Sequence, residues 1–507
     1  MRKQIFKIVT LGLSLLLLTG CSTPTYIRNI TVTTMDSAND GTGNIFSYDS
    51  DDLAEKTPSD MEAENPLNAP DKDYFVNKFV YTSLGEDVMP IVGYVEPLLT
   101  GSTYTVSLET SMKEFAQSGC NIMNAVNYTI ADKITKSLVA EAEKNDVMML
   151  LKWNGLSTLP TYADVEEAKL RLTNDLAEFA AYKSYAGLHV ADEPGWLTWT
   201  GETATFPKAH EIFNMVHNSK LFYINLLPMY SPAWSFTNGA IGGNAAGSLD
   251  YDYYYASYVE NVKPKVFIYD YYPLEGAFPG LKTQHFEQLT LSKKYADGAD
   301  IPFWPFIQVS DWGGSRDATY AEIAWQVNTA LCFGAKGMQY FTYNTPQGKN
   351  WSNAMIAPDG SKNSSYYSVQ KVNAHIAGVD EWLLNSKLNA VVQCGITPNG
   401  EKISETLLTK SYKSLASTEG VASLVGCMEY YAGNNGYDGR TVPTGEELYY
   451  VVNDTITTGG NVTLRFTKKV RGRYSYNGKS YAFSGNSLTL NLQAGEAAAV
   501  KLDKEVA

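Results

Sequence analysis

The sequence predicts an α/β protein, a (β/α)8 or TIM barrel followed by an antiparallel β-sandwich, and three observations point there. From about residue 74 to 387, short apolar runs alternate with segments of helical period, the signature of parallel strands joined by helices. Eight such units in roughly 300 residues have the number and size of a closed barrel rather than of an open doubly wound sheet. Beyond residue 388 the texture changes to short alternating runs broken by Asn, Gly and Thr turns, which read as a sandwich over 388–507.

The strands are expected at 88–95, 121–128, 147–153, 186–191, 221–227, 266–272, 303–309 and 337–343. Helical patterns lie between them at 108–117, 134–144, 163–182, 207–217, 281–295, 320–333 and 366–384, and the fifth helix is only weakly marked in the tyrosine-rich stretch 251–262. Pro305 inside the seventh run removes a ladder donor and suggests a bulge or a later strand start. Further strands are expected at 389–394, 422–431, 447–452, 462–466, 472–476, 487–492 and 497–502.

Before the barrel, Arg2, Lys3 and Lys7 precede an apolar run reaching Leu18, and Thr19, Gly20 and Cys21 follow. That order is a charged n-region, a short h-region and a small-residue cleavage site, too short and wrongly flanked for a lasting membrane span. The segment resembles the lipobox of bacterial lipoproteins. The resemblance implies that residues 1–20 are a removed signal peptide, that Cys21 carries a lipid anchor, and that the protein sits at the bacterial cell envelope, outside the cytoplasm. Residues 21–73, rich in Thr, Ser, Asn, Asp and Glu, then read as a flexible tether.

A net charge of −14 argues against nucleic acid as a partner, because phosphate binding needs clustered Lys and Arg and no such cluster occurs. The 35 Tyr and 9 Trp exceed what a core usually needs, and amphipathic rings suit the C–H faces of sugars. The spacing of Cys120, Cys332, Cys394 and Cys427 matches no zinc or redox pattern, and a Cys394–Cys427 bridge or a free pair are both open. No nucleotide-binding glycine motif, esterase elbow or metal-ligand spacing appears, so no cofactor and no metal is expected.

A barrel of this kind works at the carboxyl ends of its strands, so the polar residues ending each run are the candidates. The first four runs offer Glu96, then Asn127, then Lys152, Trp153 and Asn154, then Asp192 and Glu193, with Trp196 just beyond. The last four offer Tyr230, then Asp270 and Tyr272, then Gln308, Asp311 and Trp312, and finally Tyr343. Carboxylates, amides and aromatics are the groups a sugar site uses. Glu193 leads: Pro194 disfavours the helical region for it, so it is expected extended at the strand tip. Strand alternation is expected to put His189, Ala191 and Glu193 on one face and Asp192 on the other.

The run His189-Val-Ala-Asp-Glu-Pro194 resembles the strand-four motif of clan A glycoside hydrolases, retaining barrels related to family 42 β-galactosidases. Matched residue by residue, the resemblance makes Glu193 the acid/base and puts Asp192 where Asn is usual. It departs at strand seven, where that clan carries its nucleophilic glutamate and this chain has Gln308, a neutral amide. Glycosidases usually need a second carboxylate, which leaves Asp270, Asp311 or Glu96. Asp270 is favoured as nucleophile or base because it follows a buried run and precedes aromatics, whereas Arg316 is a ready partner for Asp311. The expected function is hydrolysis of a glycosidic bond in an extracellular glycan or oligosaccharide. The alternative is a non-catalytic glycan-binding lipoprotein on a degenerate barrel, suggested by Gln308.

Overall fold

The computed structural model describes residues 88–97, 99, 104–162, 164–238, 251–312, 316–346, 351–431 and 443–504. Residues 1–73, where the signal peptide, the Cys21 anchor and the tether are expected, lie outside the described residues.

Eight parallel strands form the barrel: β1 Ile91–Tyr94, β2 Ile122–Thr129, β3 Met148–Lys152, β4 Tyr185–Asp192, β5 Leu221–Asn225, β6 Phe267–Tyr269, β7 Phe303–Gln308 and β8 Met338–Phe341. They run in the order β5-β4-β3-β2-β1-β8-β7-β6, and a parallel bridge from Leu226 to Tyr269 joins the two ends. A helix follows each strand: α1 Leu108–Gln117, α2 Lys133–Lys144, α3 Val165–Ala180, α4 Phe206–His217, α5 Tyr251–Val262, α6 His285–Gly298, α7 Tyr320–Cys332 and α8 Ser364–Ala377.

Period-two alternation divides the strand residues between two cores. Val92, Ile122, Leu150, Ala186, Leu221, Ile268, Trp304 and Phe306 form a cluster of their own inside the barrel. Their neighbours Ile91, Met123, Leu151, Phe222, Phe267, Ile307 and Met338 pack with the helices. Pro305 lies inside an unshifted ladder opposite Tyr269, so neither a bulge nor a late start is needed. Gly378 ends α8 earlier than expected, and a short separate helix, Asp380–Leu384, follows.

The second domain runs through β9 Ser386–Cys394, β10 Leu408–Thr409, β11 Leu415–Gly420, β12 Ser423–Tyr431, β13 Pro443–Asn453, β14 Gly460–Tyr476, β15 Lys479–Leu492 and β16 Ala497–Leu502. Apart from the parallel β9–β10 pair its ladders are antiparallel. The runs expected at 462–466 and 472–476 are one strand, β14. An irregularity between Arg465 and Val470 breaks its ladder with β15, and each half also pairs with a different strand, β11 or β16. Cys120, Cys332, Cys394 and Cys427 are all free thiols. Trp325 on α7 donates from Nε1 to Asp454 Oδ1 at 2.7 Å, and Asn328 on α7 donates to Gly495 O at 2.8 Å, so the barrel is hydrogen-bonded to this domain.

Candidate active site at the barrel mouth

The tip of β4 is built by two departures from regular strand. Opposite β5, His189 pairs with Tyr223 and Ala191 with Ile224, so Val190 is an extra residue in the ladder. That bulge resets the alternation: His189 stacks on Tyr223 inside the barrel, with centroids 5.4 Å apart, and Asp192 faces the same interior. There Asp192 accepts from Asn225 Nδ2 at 2.9 Å and from the Tyr94 hydroxyl. The alternation expected from sequence, with Asp192 opposite His189, is therefore corrected by one inserted residue.

Glu193 then turns rather than extends. Its φ is +47°, in the left-handed region, where non-glycine residues are uncommon and cluster at functional sites. Its N–H donates to Asn225 O at 2.8 Å. The Tyr254 hydroxyl on α5 donates to Pro194 O at 2.7 Å and accepts from Leu227 N–H at 3.3 Å, which staples the β4 tip to the end of β5. The weakly marked, tyrosine-rich helix thus supports the site from behind. Gly187 lower on β4 lies so close to Leu221 that a Cβ there would stand 2.1 Å from its carbonyl oxygen.

The turn brings Glu193 into hydrogen-bonding contact with Asp270, which follows β6 and is 5% exposed. Asp270 N–H donates to Leu226 O at 3.2 Å across the barrel seam. Burial, then the Glu193 and Asp192 charges, hold the Asp270 carboxyl well above the usual range, while burial and Asp192 raise Glu193. Two like charges this close cannot both persist, so the pair shares a proton. Asp192 is exposed by surface area at the barrel mouth. Crowding by protein atoms raises its pKa, against the hydrogen bonds from Asn225 and Tyr94.

Aromatic rings cluster near the barrel mouth. Tyr272 packs against Trp312 at 4.6 Å and Phe341 at 5.3 Å, and Trp312 and Phe341 each meet Trp351, at 6.1 and 5.3 Å. A short antiparallel ladder pairs Trp312 with Trp351 and Asp311 with Ser352. Tyr230 is 37% exposed, and Trp196 stands edge-on to Tyr253 at 5.0 Å. Lys152 and His189 lie deeper on β3 and β4, opposite one another in the ladder. Burial, with Lys152 nearby, lowers His189 to about 3, so its ring is neutral.

Other candidates lie elsewhere. Glu96 is fully buried and accepts N–H bonds from Val126, Asn127 and Tyr128 at 2.8, 2.7 and 2.8 Å, so its carboxylate ties β1 to β2 rather than facing a ligand. Tyr343 is 1% exposed with its ring on Phe115, and Trp153 donates to Asp175 on α3 at 3.1 Å. Gln308 is fully buried, and its Oε1 accepts from Leu274 N–H at 3.1 Å, so it clamps the segment after β6. Arg316 pairs with Glu322 and with Gly280 O, and so serves α7 rather than Asp311. Asn127 and Asn154 are exposed at the ends of β2 and β3. Among the described residues no group of three or more His, Cys, Asp or Glu is arranged to hold a metal ion.

Sequence reasoning missed Tyr223, Tyr254, Lys282 and Trp351, none of which ends a strand run. Tyr94 and Asn225 do end runs, but nothing local marks them as partners of Asp192.

No family model matches the chain, and no curated protein matches its sequence. Among solved structures it is similar to a catalytic mutant of a GH42 β-galactosidase from G. stearothermophilus, at 8% identity and a TM-score of 0.45, over 82% of this chain and 98% of that one. It is also similar to a GH27 β-L-arabinopyranosidase from Geobacillus stearothermophilus, at 10% identity and a TM-score of 0.42, over 85% of this chain and 99% of that one. An Anoxybacillus α-amylase is similar at 10% identity and a TM-score of 0.42, over 83% of this chain and 99% of that one.

Proposed function

We propose that the protein hydrolyses a glycosidic bond in an extracellular glycan or oligosaccharide, with Glu193 as general acid/base and Asp270 as nucleophile. The observation that carries this is the direct contact of the two carboxyl groups at the carboxyl end of a (β/α)8 barrel. Double displacement is the course that the clan A resemblance of the strand-four run implies. The neutral Gln308 does not leave the machinery incomplete, because β6 supplies the second carboxylate.

In the first step the shared proton sits on Glu193 and passes to the leaving oxygen as the C1–O bond breaks. An Asp270 oxygen, freed of the proton, bonds to C1. In the second step Glu193, now a carboxylate, takes a proton from water as the water oxygen bonds to C1 and the C1–Asp270 bond breaks. Burial and the Asp192 charge both raise the two carboxyls, which favours keeping a proton on the pair. Tyr230, Tyr272, Trp312 and Trp196 offer faces for sugar rings, with Lys152 deeper in the barrel.

Arg2, Lys3, Lys7 and the Leu18-Thr-Gly-Cys21 run support a lipoprotein signal, and so an enzyme anchored through Cys21 at the cell envelope. The test is release of reducing ends from a panel of neutral glycans by the parent chain and by Glu193→Gln. Equal release by both would end the assignment.

A further inference from the structure

A loop of the second domain reaches the segment between β6 and α6. After β9, residues 395–401 brace themselves: Glu401 N–H donates to Asn399 Oδ1 at 3.1 Å, and Thr397 Oγ1 donates to Glu401 O at 2.6 Å. The Glu401 carboxylate then accepts the N–H groups of Phe286 at 3.0 Å and Glu287 at 2.6 Å, in the first turn of α6. Gln284, at the N-cap position, makes no side-chain cap of its own, so another domain satisfies these helix donors. Asn399 Nδ2 donates to Lys282 O at 2.8 Å.

These two anchors fix the end of the segment that carries Tyr271, Tyr272 and Lys282 past the barrel mouth. The Lys282 ammonium lies 4.1 Å from the centroid of the Tyr230 ring, a cation–π distance. Tyr271 packs on the same ring at 5.1 Å, and Tyr272 N–H donates to the Tyr230 hydroxyl. Tyr230 is near enough to Asp270 and Glu193 to feel both charges. A chain of contacts therefore runs from Asn399 and Glu401 through Lys282 to an aromatic face beside the carboxyl pair.

We infer that Asn399 and Glu401 are positioning residues: the second domain holds Lys282 on Tyr230 and so sets the wall against which the sugar beyond the cleaved bond packs. The catalytic consequence rests on the hydrolytic reading above, while the holding itself does not.

Two readouts on the full chain test this, using Asn399→Ala, Glu401→Ala and the conservative Glu401→Gln. In hydrogen exchange without glycan, the alanine variants are expected to exchange amides of residues 271–287 ~10-fold faster, as loss of one well-made hydrogen bond allows, with α7 and β13 unchanged. Glu401→Gln is expected to recover part of the protection. With a neutral tetrasaccharide that the parent hydrolyses, KM is expected to rise ~10-fold for Asn399→Ala with kcat nearly unchanged. Adding Asn399→Ala to Lys282→Ala should then change nothing further.

Unchanged exchange at 271–287, a rise spread equally over α7 and β13, or a fall in kcat at constant KM would overturn the inference. If the parent cleaves no glycan, the hydrolytic reading fails. The exchange result then decides the positioning claim alone, local deprotection supporting it and any other pattern refuting it.

Discussion

Glu193 at the tip of β4 and Asp270 after β6 hold their carboxyl groups in hydrogen-bonding contact across the barrel mouth, with Asp192 beside them. Among the described residues neither Asp270 nor Asp192 has an ion-pair partner, and burial with mutual repulsion raises the Asp270 and Glu193 carboxyls.

Replacing the acid separates function from folding. Glu193→Gln is expected to lower kcat/KM by ~100- to 10,000-fold, the range of positioned proton transfer. It removes a repelled charge, so Tm is expected to stay level or rise. Steady-state kinetics beside a thermal melt check both halves.

Asp192 raises Glu193 and Asp270 through its charge. Asp192→Asn keeps an acceptor for Tyr94 and removes that charge, so both neighbours should ionise at lower pH. The alkaline limb of the kcat/KM profile, where Glu193 loses its proton, is expected to move to lower pH. A limb that stays in place would place the limiting ionisation elsewhere.

Glu96 is a structural staple. Glu96→Gln leaves one acceptor oxygen for the three N–H groups it serves and is expected to cost ~1–3 kcal/mol. Denaturant unfolding should show that loss while kcat falls less than for any change at Glu193.

The barrel was legible because each strand carries a compact apolar run and each helix an amphipathic one, and Glu193 and Asp270 stand out in the sequence because both end such runs. The two departures at the tip of β4 were not. An inserted Val190 leaves no compositional mark, yet it moves Asp192 to the inside, and the +47° φ of Glu193 opposes the extended conformation that Pro194 suggests. The gap between the strands expected at 462–466 and 472–476 is bridged by β14, whose ladder with β15 breaks between Arg465 and Val470. Trp351 and Lys282 lie several residues beyond the runs expected at 337–343 and 266–272; Trp351 is placed by its ladder with Trp312 and Lys282 by its contact with Tyr230. Glu96 looked like Glu193, each a glutamate before a proline; only the backbone amides of β2 show that its carboxylate is taken.

Asp454, at the junction of the domains, is pushed up to about 8 by burial, against the hydrogen bond from Trp325. A carboxyl that is harder to ionise folded than unfolded imposes no penalty below about pH 4, where both states are protonated, and loses stability as pH rises toward 8. Asp454→Asn keeps the acceptor for Trp325 and cannot ionise. Its Tm is expected to exceed the parent's at pH 8, with the difference shrinking toward pH 4; melts across that range check the sign.

The central claim is that Asp270 attacks C1 while Glu193 manages the proton, and covalent trapping tests it most directly. A 2-deoxy-2-fluoro glycosyl fluoride of the sugar that the chain releases is incubated with the full protein, which is then digested for mass spectrometry. The expected result is one glycosyl adduct on the peptide containing Asp270, absent in Asp270→Asn. An adduct on Asp192, Asp311 or any other residue, or turnover with inverted product and no adduct, would contradict it.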